Sequence, residues 1–363
     1  MELGGAEMSL LGLLESLDYR QTAVDLFVHS HRGELMKNIP KQVNLLPEIP
    51  QYAQIERPIK DVLKSGYWRI ALSRMRAKRD FYRYVKTRHP KDGSAVFAYI
   101  ARRVAPLMPD INPDKEYDVA ISYLAPHNYV LEKVRAKKKV AWIHTDYSQI
   151  NVDTDIELPV WSGYDRIVSI SSQVTCNFLK VFPSLEDRII EKPNLVPERY
   201  VKARAGEIPQ ETVRSEMPLA SGRVNLLSVG RFCHAKNYDN VPDICRRIRA
   251  KGIDAHWYLI GYGGDEPLIR KRITESGMDG YVHILGKKDN PYPYMESCDI
   301  YVQPSRYEGC PMTVSEADVL GKKVVLTDFP TADSVADRCA DCTIVPMDNE
   351  NCAEGIAALA RRI

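Results

Sequence analysis

Short apolar runs alternate with stretches of helical period along the whole chain. Runs at 22–28, 43–46, 117–123, 139–143, 166–171 and 188–192 predict β-strands in the first half. Runs at 224–229, 255–260, 282–285, 299–303, 323–327 and 343–345 do so in the second. Between them apolar residues recur every three or four positions, as at 174–181, 240–250 and 267–276, which predicts helices. Such alternation is the pattern of parallel α/β sheets. Residues 196–222 interrupt it; rich in Pro, Glu, Ser and Arg, they read as a linker. The expected architecture is α/β: domain 1–195 and domain 223–363, both doubly wound, facing a central cleft, with ligands at the carboxyl ends of strands. Both ends read as incomplete. No strand precedes the Gly4-Gly5 turn that opens the first helix, and the last helical pattern, 351–363, runs to the final residue.

Composition changes this picture little: 363 residues, 44% hydrophobic and 27% charged, are ordinary for two globular domains. No apolar run approaches bilayer length and no signal peptide opens the chain. Eight scattered cysteines suit a reducing compartment, so a cytoplasmic location is expected. Cys339 and Cys342, with Cys352, supply half a zinc motif without a second pair, and no metal is expected. Asp153-Thr154-Asp155 reads as a solvated turn in a loop. Charge is informative in one place. Residues 57–92 carry twelve Lys and Arg against Asp61, Asp80 and Asp92, a balance of +9, interleaved with aromatic residues. Two readings stay open there: contact with an anionic membrane surface, and a helix packed on its own domain with a solvated basic face. Nucleic acid is not expected as a partner.

The most informative chemistry lies in Ser305-Arg306-Tyr307-Glu308-Gly309-Cys310-Pro311, which follows a buried strand. The spacing of Met312, Val314, Ala317, Val319 and Leu320 predicts a short helix, with Pro311 in its first turn and Glu316 further in. The unpaired amides of Met312 and Thr313 would make an anion site. Glu308 and Glu316 could hold sugar hydroxyls on either side of a diphosphate; the plainer alternative is a helix cap and a solvated surface glutamate.

Three further segments follow strand ends. Gly230 permits a tight turn, after which Arg231 and Lys236 can neutralise a diphosphate. Gly261-Tyr262-Gly263-Gly264, with Lys287 nearby in sequence, suggests a wall for a nucleobase, although the full dinucleotide fingerprint is lacking. Gly4 and Gly5 could bring backbone amides to a phosphate or an acceptor. His144 ends a buried strand and reads equally as a core histidine or a ligand contact.

Together these segments resemble the retaining glycosyltransferases of family 4, including members in polysaccharide biosynthesis for the cell envelope. The resemblance is carried by Val229-Gly230-Arg231, Lys236-Asn237, Ile260-Gly261-Tyr262-Gly263, and Glu308 spaced eight residues before Glu316. It implies the GT-B fold, with two Rossmann-like domains, an acceptor domain first and a nucleotide-sugar domain second. By this resemblance Arg231 and Lys236 bind the donor diphosphate, Glu308 the donor sugar and Glu316 the ribose. Gly309, Cys310, Pro311, Met312 and Thr313 hold phosphate, and His144 reaches the sugar. Cys310-Pro311-Met312 departs from the family's usual Phe-Pro or Phe-Gly.

The expected activity is metal-independent transfer, with retention, of a hexose-type sugar from a nucleoside diphosphate sugar to a glycan or lipid-linked glycan. That donor is a substrate, and no cofactor is expected. The location would be cytoplasmic, or peripheral on the inner face of the plasma membrane. A nucleotide-sugar epimerase of the same fold and a non-catalytic nucleotide-binding domain pair are the alternatives.

Overall fold

Parallel strands buried on both faces need continuous apolar runs, and the chain supplies them. The computed structural model describes residues 1, 4–89, 94–148 and 150–363; Glu2, Leu3, Lys91 and Asp92 of the segments above lie outside them. The chain divides into two units, Met1–Leu195 and Val196–Ile363.

In the first unit the strands are β1 (Asp25–Leu26), β2 (Asn44–Leu45), β3 (Tyr117–Ser122), β4 (Ala136–Ile143), β5 (Arg166–Ser169) and β6 (Ile189–Glu191). The last four form one parallel sheet in chain order. β1 and β2 are far shorter than their apolar runs predict and pair only with each other. Asp25 shows why: its carboxylate accepts from Asn44, Asn112, Lys115 and Tyr117, so a polar cluster occupies the middle of the run. The helices are α1 (Gly5–Glu15), α2 (Ile59–Lys64), α3 (Trp68–Arg88), α4 (Val96–Val104), α5 (Asn128–Lys133), α6 (Thr154–Ser162) and α7 (Ser172–Val181). Asp153 caps α6 through the amide of Asp155 at 3.1 Å, so the Asp-Thr-Asp segment starts a helix rather than lying in a loop. Ile70, Ala71, Ala77 and Phe81 bury one face of α3 against Tyr99, Ile100 and Val104.

The second unit holds β7 (Arg223–Val229), β8 (Asp254–Ile260), β9 (Val282–Gly286), β10 (Ile300–Gln303), β11 (Lys323–Thr327) and β12 (Cys342–Val345). They form one parallel sheet in the order β12-β11-β10-β7-β8-β9. The order reverses between β7 and β10, which makes that position the topological switch point. The helices are α8 (Glu198–Ala205), α9 (Gln210–Glu216), α10 (Val241–Ala250), α11 (Glu266–Glu275), α12 (Tyr292–Ser297), α13 (Met312–Val319), α14 (Ala332–Ala336) and α15 (Asn349–Ala360). Trp257, Leu226, Val302 and Val325 meet Ile244, Ile248, Ile269 and Ile356 of the helices in its core.

The stretch 196–222 is not a linker. It carries α8 and α9 and belongs to the second unit. Tyr200, Val201, Val213 and Met217 are buried in it, whereas Leu219 is exposed. Its prolines 197 and 209 stand at the helix N-caps, where a missing N–H costs nothing.

Candidate functional site

The site is built on the carboxyl ends of β7, β8 and β10. After β7 the chain turns at Gly230, whose φ is not in the left-handed region; the constraint on it is space, not turn geometry. A Cβ there would lie 2.9 Å from Tyr238 Oη and 3.2 Å from Lys236 Cε, because the lysine crosses directly above it. Gly261 and Gly263 are required by close approach as well: Cβ atoms would meet the carbonyl oxygens of Gly230 at 1.9 Å and Phe232 at 2.2 Å. The two loops are fastened by Phe232 N–H donating to Tyr262 O and Asp265 N–H to Phe232 O. A third loop, after β10, is latched to the first. Arg306 donates to both carboxylate oxygens of Asp239, at 2.9 and 2.8 Å, and to the carbonyl of His234. Its backbone N–H donates to Ala235 O.

These latches bring Lys236 and Glu308 together at the switch point. Lys236 Nζ donates to Glu308 Oε1 at 2.6 Å, with the two side chains 18% and 12% exposed. Gln303 Nε2 at 2.8 Å and Ser305 Oγ at 2.6 Å donate to the same oxygen. Gln303 and Ser305 are fully buried, so the carboxylate is held from below. Among the described residues none donates to Oε2. One carboxylate oxygen is saturated and the other remains available to a hydroxyl donor.

Pro311 occupies the N-cap of α13, one position outside the helix where the sequence places it. The amides of Met312 and Thr313 therefore begin the helix and have no intrahelical acceptor. Glu316, inside α13, is 5% exposed, which excludes the solvated-surface reading. Burial raises its carboxyl to about 7, and only the Tyr292 hydroxyl, donating at 3.3 Å, offsets the rise. Tyr292 packs edge-on against Tyr200 of α8, ring centroids 6.0 Å apart.

Arg231 is exposed, and among the described residues it forms no ion pair. Tyr262 is 58% exposed beyond β8, with Lys287 Nζ 6.0 Å from its ring centre. Lys287 also pairs with Asp289 at 3.6 Å. Gly309 and Cys310 are partly exposed in the turn before α13, and Arg338 approaches the Cys310 sulfur at 4.0 Å. Arg306, Asp239, Gln303, Ser305 and Tyr292 were given no role from sequence. Arg306 and Gln303 lie in or beside the Glu308 motif; the partners of Arg306 are distant in the chain, whereas Gln303 reaches Glu308 five positions on.

The first unit gathers a separate set at the ends of β3 and β4. His144 lies 4.6 Å from Tyr123 between ring centres, and both its ring nitrogens are buried without a partner. Burial lowers its pKa to about 4, so the ring is neutral at physiological pH. Ser9 of α1 joins Tyr123 at 2.6 Å and donates to Asn194 at 2.8 Å. Gly4 is the N-cap of α1 and Gly5 its first residue, which places them one to two turns before Ser9. Among the described residues no group of three or more His, Cys, Asp or Glu could hold a metal ion, and all eight cysteines are free thiols.

Residues 223–362 match the family described as glycosyl transferases group 1. Over this stretch the chain is similar to that family, and the match spans less than half of its length. Its Lys236, Glu308 and Glu316 all lie inside the match. The amylovoran biosynthesis glycosyltransferase AmsK of Erwinia amylovora is 24% identical over 148 residues, 39% of this chain and 36% of that protein. N,N'-diacetylbacillosaminyl-diphospho-undecaprenol alpha-1,3-N-acetylgalactosaminyltransferase of Campylobacter jejuni is 43% identical over 74 residues, 20% of this chain and 19% of that protein. The chain thus aligns with well under half the length of either relative. Among solved structures, Anabaena HepE in complex with UDP superposes with a TM-score of 0.60 at 14% identity, covering 99% of this chain and 87% of HepE. That likeness shows the fold: GT-B, with two Rossmann-like units.

Proposed function

We propose that the chain is a retaining glycosyltransferase that moves a hexose-type sugar from a nucleoside diphosphate to a hydroxyl of a glycan or lipid-linked glycan. The observation that carries this reading is the Lys236–Glu308 pair at the switch point, with one carboxylate oxygen unsatisfied. A donor diphosphate lies between Arg231, Lys236 and the amides of Met312 and Thr313, with Gly230 and Gly309 giving it backbone access. Glu308 Oε2 accepts from a sugar hydroxyl. Glu316 accepts from the ribose, and Tyr262 with Lys287 borders the base. HepE was solved with UDP and the Campylobacter relative is named for a lipid-linked acceptor, so uridine diphosphate sugars and polyprenyl diphosphate glycans are the first candidates.

Charge gathers on the leaving diphosphate as the glycosidic bond breaks. The two cations and the helix start stabilise it, while a phosphate oxygen takes the acceptor proton on the same face of the sugar. The chemistry proceeds without a metal ion. In the first unit His144, neutral and with both nitrogens unpaired, is the candidate ligand contact, and Gly4 and Gly5 border the acceptor side. A thermal-shift screen of nucleoside diphosphate sugars, followed by turnover with the best binder, tests the reading. Stabilisation and turnover by at least one donor support it; free epimerised sugar nucleotide as the product, or no response to any donor, refutes it.

A further inference from the structure

The outer face of α3 carries a second apolar stripe. Trp68, Leu72, Met75 and Tyr82 are 59%, 38%, 42% and 61% exposed. At the helical repeat they fall within about 80° of the circumference, roughly opposite Ile70, Arg74, Ala77 and Phe81, with the buried Ala71 at one edge of the stripe. Arg79 and Lys86 lie on the stripe, and Arg69, Arg76 and Arg83 flank it. Neighbouring helices add exposed apolar residues, Leu63 on α2 at 44% and Phe97 on α4 at 66%. The charge is uncompensated: Asp80 serves Arg83 and Arg103. Among the described residues no carboxylate pairs with Arg69, Arg76, Lys78, Arg79 or Lys86. No described helix is long and apolar enough to cross a membrane.

We propose that the outer face of α3 docks the protein onto an anionic lipid bilayer, with the helix lying in the interfacial plane. The inference concerns the surface of the first unit alone and does not depend on the reading of the second unit. Two requirements of an interfacial helix are met on one face. Trp68 and Tyr82 have amphipathic rings that suit headgroup depth, and Leu72 and Met75 can enter the acyl boundary between them. The cations flanking them then stand at the depth of lipid phosphates. A nucleic acid backbone would use the cations and leave Leu72 and Met75 with nothing to bury against. Left in contact with water, so much exposed apolar surface within a basic field gains nothing.

Trp142, Trp161 and Trp257 are buried, so Trp68 is the one tryptophan that an approaching surface can reach. The test mixes the intact chain with vesicles of phosphatidylcholine containing about 30 mol % phosphatidylglycerol, and with phosphatidylcholine alone. Expected are co-sedimentation with the anionic vesicles only and a blue-shifted tryptophan emission. Trp68→Phe should abolish the shift and keep most of the binding. Arg76→Glu with Arg79→Glu and Lys86→Glu should weaken binding by about 100-fold or more. Leu72→Ser with Met75→Ser should weaken it by about tenfold, in low and high salt alike. Circular dichroism and thermal unfolding verify that these exposed positions leave the fold intact. Absence of binding above the phosphatidylcholine control overturns the proposal. So does binding that ignores the Leu72 and Met75 changes, or tighter binding to duplex DNA than to the anionic vesicles.

Discussion

Gly230 and Glu316 set the terms of the site in opposite ways, one by what it lacks and the other by where it is. Adding a methyl at Gly230 pushes against Tyr238 Oη and the Lys236 stem. Gly230→Ala should therefore shift Lys236 off Glu308 and lower donor turnover at least about tenfold, with only a small change in thermal stability. Steady-state kinetics beside a melting curve measures both. Glu316 holds a buried carboxyl whose pKa rises from 4.5 to about 7. Between those values the native state keeps a proton that the unfolded chain has released, so stability falls as pH rises through the window and levels off above it. Glu316→Gln removes that penalty. It should stabilise the protein by about 3 kcal/mol at pH 8 and by under about 1 kcal/mol at pH 5, judged by denaturant unfolding. The same variant should lose most of its donor affinity. A parallel pH profile for both proteins contradicts this account of Glu316.

At the scale of elements, the latch between the loops after β7 and β10 determines whether Lys236 and Glu308 meet. Arg306 fills it with a fork to Asp239 and a bond to the His234 carbonyl, which a lysine cannot reproduce. Arg306→Lys and Arg306→Ala should both weaken nucleotide binding by about tenfold while leaving the sheet intact, as seen by calorimetry and circular dichroism. This latch was not legible in sequence, because Arg306 and Asp239 are 67 positions apart. The runs from 224–229 to 343–345 were legible because strands buried on both faces admit few polar residues. The runs at 22–28 and 43–46 misled in length, since alternation does not reveal that Asp25 collects four donors. The stretch 196–222 misled through composition: a helix packed by only Tyr200, Val201 and Ala205 needs few apolar residues. Glu308 and Lys236 were visible from their positions after strand ends, and the burial of Glu316 was not, because helical spacing alone does not show what covers it.

At the scale of the whole molecule, both units use the same βα alternation, and only the second reverses its strand order. That reversal separates the crossovers on either side of β7 and β10 and leaves the carboxyl ends of these strands open to a ligand. Net charge is only +2, although α3 carries eight Lys and Arg against Asp80 alone. Positive charge is therefore segregated rather than general. The proposed chemistry places cations and amides where a metal would otherwise neutralise the diphosphate, so an excess of chelator should leave turnover unchanged; loss of activity restored by a divalent cation would refute that part. The central claim is that a nucleoside diphosphate is held at the β7–β10 switch point. Calorimetric titration of the intact protein and of Arg231→Ala and Lys236→Ala with uridine, guanosine, adenosine, cytidine and thymidine diphosphates tests it most directly. The account predicts saturable binding of at least one of them, weakened about ten- to hundredfold by either substitution with the melting temperature preserved. Binding of none, or binding that both substitutions leave unchanged, would contradict it.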